Sequence, residues 1–221
     1  MVEIKRDILS LKSAVRPGGN WKKTSITIHS TANERSTAEN ERAWLDNKSN
    51  TRQASWHYAV DEDSIVQAIP DSEEAWHCSV TEGNRHSISI EICESGNRKK
   101  AVENAAYLTA MKINEYKLSI EDIKQHFDWS GKNCPRILRD KAYVKDNMTW
   151  DAFLGLVKKY LSGEEEKIMY KTVEDIPSWG KATIKKLMDK KYLAGDEKGN
   201  INIDDMALRV LVINDRAGLY D

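Results

Sequence analysis

Two side chains that bind transition metals lie eight residues apart in the run His-Phe-Asp-Trp-Ser-Gly-Lys-Asn-Cys-Pro, residues 126–135. His126 offers an imidazole nitrogen and Cys134 a thiolate, the ligand types that hold Zn²⁺ in a tetrahedron at ~2.0–2.3 Å. Their spacing, with Gly131 between them, suits a loop that folds back rather than a helix face. Two donors do not complete a site, so the chain must supply a third. Without further context the pair is commonplace, because a lone Cys is usually a small buried hydrophobe.

The elements around this run show where a third donor can come from. Residues 24–30, Thr-Ser-Ile-Thr-Ile-His-Ser, alternate and are rich in β-branched side chains, which predicts a strand. Ile26 and Ile28 fall on one face, and Thr27 and His29 on the other. Residues 87–93, Ser-Ile-Ser-Ile-Glu-Ile-Cys, form the clearest strand, with Ile88, Ile90 and Ile92 on one face and Ser89, Glu91 and Cys93 on the other. A carboxylate there needs a compensating partner, since burying an unpaired charge is costly. His29 and Glu91 can therefore meet over one side of a sheet.

Ser36-Thr-Ala-Glu39 has the spacing of a capping box and predicts a helix through Trp44 and Leu45. Residues 55–60 and 64–69 flank a polar turn and predict a hairpin that Pro70 ends. Val102, Ala106, Thr109, Ile113 and Tyr116 predict an amphipathic helix over about 99–117. Trp150, Phe153, Leu154, Val157 and Leu161 repeat the pattern, with Gly163 just past the end. Pro177-Ser-Trp opens a further helix marked by Ile184, Leu187 and Met188. Asp204 and Asp205 can cap a last helix carrying Met206, Val210 and Ile213. The expected fold class is α/β (α+β): a mixed central β-sheet flanked by helices, with a small mainly helical C-terminal domain. The boundaries are 1–162 for the main domain, 163–169 for a charged linker and 170–221 for the small one.

The 34 basic and 35 acidic residues leave a formal net charge of −1. That balance gives no reason to expect a nucleic-acid partner. No window reaches the ~18 consecutive apolar residues of a membrane span. The first residues lack the apolar core of a signal peptide, so synthesis in the cytoplasm is expected. Cys78, Cys93 and Cys134 form no disulfide framework and are expected to be reduced.

Three separated segments resemble one family. They are Ile-Thr-Ile-His-Ser-Thr (26–31), Ser-Ile-Ser-Ile-Glu-Ile (87–92) and the run 126–135, with Trp56-His-Tyr-Ala-Val-Asp61 and Ala75-Trp-His77 in support. Over residues 20–160 the chain resembles the zinc-dependent N-acetylmuramoyl-L-alanine amidases of the type-2 amidase and peptidoglycan-recognition group. The run 126–135 is most similar to phage endolysins and prophage lysins of spore-forming Gram-positive hosts. The resemblance implies that His29, His126 and Cys134 hold Zn²⁺ and that Glu91 and Lys132 are catalytic. It places Trp56, His57, Trp76 and His77 along the substrate groove, the two histidines as wall or structural residues rather than ligands. It implies hydrolysis, by zinc-activated water, of the amide joining N-acetylmuramic acid to L-alanine of the stem peptide, with lysis of the cell wall after release. Some members carry a tyrosine where this chain has Trp56, so a phenol cannot serve here.

The tail 176–196 resembles S-layer-homology-like wall modules, which implies a cell-wall ligand for the small domain. Self-association is the other outcome expected of a core so small. The rival reading is a non-catalytic peptidoglycan-recognition protein, whose members lack the cysteine ligand retained here as Cys134. A closed structural zinc site would need four protein ligands and usually paired cysteines. A zinc deaminase would need a His-x-Glu signature that is absent.

Overall fold

β-branched residues at alternating positions build the centre of the molecule. The structure, a computed structural model, describes residues 2–163 and 168–220. It divides into two compact units, the first ending at Gly163. The expected linker 163–169 falls mostly on residues 164–167, outside the described residues.

In chain order the first unit contains β1 (Ile4–Arg6), β2 (Ser25–Ser30), α1 (Ala38–Leu45), β3 (Tyr58–Val60), β4 (Ile65–Gln67), α2 (Thr81–His86) and β5 (Ser87–Ile92). It continues with α3 (Arg98–Tyr116), β6 (Ile123–Gln125), α4 (His126–Ser130), α5 (Arg136–Arg139) and α6 (Trp150–Ser162). The six strands form one sheet in the order β1-β4-β3-β5-β2-β6. Only β3 and β4 pair antiparallel; the other neighbours are parallel. The mixed central sheet flanked by helices is the expected architecture.

Both faces of this sheet are covered, as parallel strands require. Ile26, Ile28, Ile88, Ile90 and Ile92 bury one face beneath α3 and α6, together with Ala105, Phe153 and Val157. On the other face Ala59, Val66 and Cys93 join Leu45 of α1, Trp56 and Ile69 in a smaller cluster. That second face also holds the fully buried polar side chains Thr27, Ser87 and Ser89. Thr27 and Ser87 satisfy each other through a 2.6 Å hydroxyl contact, and Trp129 Nε1 donates to Thr27 Oγ1. The apolar face thus supplies the packing, and the polar face is left to carry chemistry.

Several local expectations shift by a residue or more. The cap of α1 is Thr37, which accepts from Asn40 N, rather than Ser36. The hairpin strands shrink to three residues each. Residues 126–130 form a short helix where a loop is predicted. Asp128 closes a capping box on Gln125 at its start, and Gly131, with φ of +74°, ends it in a conformation that favours glycine. The edge strands β1 and β6 and the short helix α2 carry too few residues for a periodic signal.

The second unit contains β7 (Met169–Tyr170), α7 (Ser178–Asp189), β8 (Ile203–Asp204) and α8 (Asp205–Arg216). Its core is Ile176, Ile184, Ile201, Ile203, Leu208 and Val212. Gly180 of α7 packs tightly against α8, where a Cβ would come within 2.9 Å of Leu208. Asp204 caps α8 by accepting from Ala207 N, as predicted. The buried stripe of α8 is Leu208 and Val212, whereas Met206, Val210 and Ile213 are exposed. Apolar residues occupy both sides of this helix, so its periodicity could not tell which stripe would be covered.

Candidate active site

The parallel pairing of β2 with β5 sets His29 directly beside Glu91. On the far side of β5, Glu91 faces Ala59, whose methyl leaves room for the carboxylate. On the far side of β2, Ile28 pairs with Gln125 at the end of β6. One residue further on, the chain enters α4 at His126, level with His29. The turn of α4 then reverses, and Phe127 N donates to the Cys134 carbonyl at 3.0 Å. That single bond closes the eight-residue spacing and brings the thiol back beside both imidazoles.

The result is one buried cluster of His29, His126 and Cys134, whose ligand atoms all lie within 4.8 Å of one another. His126 Nδ1 is 3.1 Å from His29 Nδ1, and Cys134 Sγ is 3.8 Å from the same nitrogen. Ligands at tetrahedral angles around one zinc stand about 3.3–3.8 Å apart, given bonds of ~2.0–2.3 Å. Two nitrogens and a sulfur are a donor set suited to zinc, and separations of 3.1 and 3.8 Å lie close to that spacing. Burial holds His29 well below the ordinary imidazole range and lowers His126 to about 4, so both keep lone pairs available at neutral pH. Burial also pushes the Cys134 thiol up to about 12, with Glu91 adding to the effect. Metal binding there must expel the thiol proton.

Glu91 Oε1 is 3.8 Å from His29 Nδ1. Its Oε2 is buried with no hydrogen-bond partner among the described residues. Burial raises this carboxyl to about 8, helped by the charge of Glu41 and opposed by Lys132. A carboxyl group placed so, near neutrality and beside a metal cluster, has the properties of a general acid–base.

The cluster opens on a groove of about 740 Å³ lined by Trp44, Trp56, Trp76, Glu91, Lys132 and Cys134, among others. Trp56, Trp76 and Lys132 all line this groove. His57 does not. It is fully buried away from the groove, with Nδ1 facing Ser89 and Nε2 bonded to the Glu73 carbonyl. No ring atom of His57 is left for a substrate, so its role is to tie β3 to β5 and the loop at Glu73. His77 borders the groove, but both its nitrogens are engaged, Nδ1 with His29 Nε2 and Nε2 with the Gly83 carbonyl.

Glu94 is a site-supporting residue that no sequence signal marked. Its side chain is fully buried, accepts from Ala32 N at 3.0 Å, and binds Arg136 Nη2 at 2.6 Å. Ala32 lies three residues after His29 and Arg136 two after Cys134. One carboxylate therefore ties the loop that follows His29 to the start of α5, just after Cys134.

Comparison with known proteins identifies the family. The profile of the N-acetylmuramoyl-L-alanine amidase family (Amidase_2) matches residues 20–137. The Bacillus subtilis amidase CwlH is 36% identical over 159 residues, 70% of this chain and 60% of its own. XlyA of the same organism is 38% identical over 159 residues, 69% of this chain and 50% of its own. The solved catalytic domain of XlyA superposes with a TM-score of 0.64 at 35% identity, covering 71% of this chain and 99% of that domain. The structure of PlyL gives 0.62 at 32% identity, covering 74% and 100%. The fold is that of an amidase-type catalytic domain. The chain belongs to the N-acetylmuramoyl-L-alanine amidase family, and it spans 50–60% of the length of these two curated relatives.

Proposed function

We propose that this protein is a peptidoglycan hydrolase of the endolysin type. It would cleave the amide between the lactyl group of N-acetylmuramic acid and L-alanine of the stem peptide. The observation that carries the reading is the meeting, at one groove, of a three-donor cluster with a half-buried carboxylate whose Oε2 has no hydrogen-bond partner among the described residues. His29, His126 and Cys134 are the residues that would hold zinc. Zinc held there supplies Lewis acidity at the scissile amide and makes water reactive near neutral pH.

The chain's own groups supply the remaining steps. Glu91 takes a proton from the attacking water at its free oxygen and delivers it to the departing L-alanine nitrogen, so the carboxylate is regenerated each cycle. Lys132, on the groove wall, supplies positive charge where the amide oxygen becomes anionic. Trp56 and Trp76 offer apolar walls to sugar and peptide. Residues 170–221 are read as a wall-binding module that keeps the enzyme on its insoluble substrate, with action at the cell wall. No helix among the described residues is long and apolar enough to cross a membrane.

Mass spectrometry of digested Gram-positive peptidoglycan tests the proposal. The expected products are intact glycan strands and new L-alanine amino termini, with release abolished by a chelator and restored by zinc. Wall binding without any such termini would favour the recognition-only reading.

A further inference from the structure

A neutral imidazole offers a metal its lone pair only from the nitrogen that does not carry the proton. On His29 the position of that proton follows from a run of hydrogen bonds ending at a backbone carbonyl. The Gly83 carbonyl can only accept, so His77 Nε2, 3.2 Å away, carries a proton and donates it. Neutral His77 then has only a lone pair at Nδ1, which lies 3.0 Å from His29 Nε2. His29 Nε2 must donate to it, which leaves His29 Nδ1 bare. Nδ1 is the very atom that faces His126 Nδ1 and Cys134 Sγ.

The start of this run is firmly held. His77 N and Cys78 N both donate to Asn84 Oδ1, at 3.0 and 3.1 Å. A Cβ on Gly83 would fall 2.3 Å from Cys78 Sγ and 3.0 Å from the Trp129 ring. Only a glycine lets α2 approach closely enough for that carbonyl to reach His77. The two rings meet edge to face, 5.1 Å apart at an interplanar angle of 87°.

We infer that His77 is a positioning residue of the metal centre: it holds His29 in the tautomer and ring orientation that can ligate, and it does not bind substrate. The inference rests on the metal-binding role proposed for His29. Partners of this kind are typically worth about 10–100-fold in metal affinity.

Zinc affinity of the full-length protein, measured by competition with a chromophoric chelator, tests it for wild type, His77→Phe and His77→Asn. His77→Phe removes the acceptor and should bind zinc about 10–100-fold more weakly. His77→Asn places Oδ1 where Nδ1 stood and should recover most of that loss. Were His77 merely structural, both variants would melt earlier without metal while their zinc affinities stayed together. Wild-type affinity in the phenylalanine variant overturns the inference. Nitrogen NMR of the metal-free wild type gives an answer even if that variant does not fold. His29 should be protonated at Nε2, and a proton on Nδ1 overturns the assignment. A wild type that binds no zinc would defeat the metal reading itself, while the NMR result would still stand.

Discussion

Replacing Glu91 by Gln should make the metal-free protein more stable and the enzyme nearly inactive. Glu91 is raised from 4.5 to about 8, mainly because its carboxylate is buried without a partner for Oε2. Between these values the unfolded chain has released the proton and the folded chain still holds it. The folded state therefore binds more protons, and this group's contribution to stability falls as pH rises through that window. At about 1.4 kcal/mol per pH unit separating the two values, the full cost at pH 8 is about 5 kcal/mol. The side chain remains 15% exposed, and partial hydration reduces the working figure to about 2–3 kcal/mol. Glutamine is uncharged and escapes this cost. For a unit of this size the difference corresponds to roughly 5–10 °C in melting temperature. Thermal melts in excess chelator, at pH 5 and pH 8, provide the assay. The variant should match wild type at pH 5 and exceed it at pH 8, while turnover with zinc restored falls by about 10²-fold or more. A variant that melts no later than wild type at pH 8, or a gap that does not widen with pH, would show that Glu91 is comfortably solvated and the physical argument wrong.

Cys134→Ser should drop the zinc content from close to one per chain toward zero under mild dialysis, read by elemental analysis. Retention of full zinc would remove Cys134 from the ligand set. Glu94→Ala leaves Arg136 and the buried Arg98 without their shared carboxylate and should cost about 3 kcal/mol in chemical denaturation. It should also release zinc faster, because the loops after His29 and before Arg136 lose their tie; a change under about 1 kcal/mol would mark the pair as replaceable by water. Ending the chain at Gly163 should leave hydrolysis of soluble muropeptides nearly intact while lowering binding and lysis of whole cells. Equal lysis by the shortened chain would reassign residues 170–221, with self-association, read by sedimentation, as the next role to test.

Alternation in residues 25–30 and 87–92 was enough to tell which face of each strand packs and which carries His29 and Glu91. That inference works because the side-chain period of a strand is two, so a pattern of isoleucines leaves no choice of face. The residue types in 126–135 offer donors suited to zinc, but a single His–Cys pair is commonplace and does not by itself announce a site. Register was a different matter. Nothing in either strand states that His29 pairs with Glu91, or that Gln125 pairs with Ile28 and so delivers His126 to the same spot. Those partners are distant in sequence, and only the assembled sheet chooses among the possible alignments. The same holds for four further residues around the site. His57, His77, Glu94 and Gly83 carry no periodic signal, and their roles arise from contacts across 6 to 62 residues of chain. Two histidines that follow tryptophans looked alike as a sequence, yet one braces the sheet and the other meets His29. What separates them is the partner each ring nitrogen finds, and hydrogen-bond partners are set by tertiary structure rather than by neighbours in the chain.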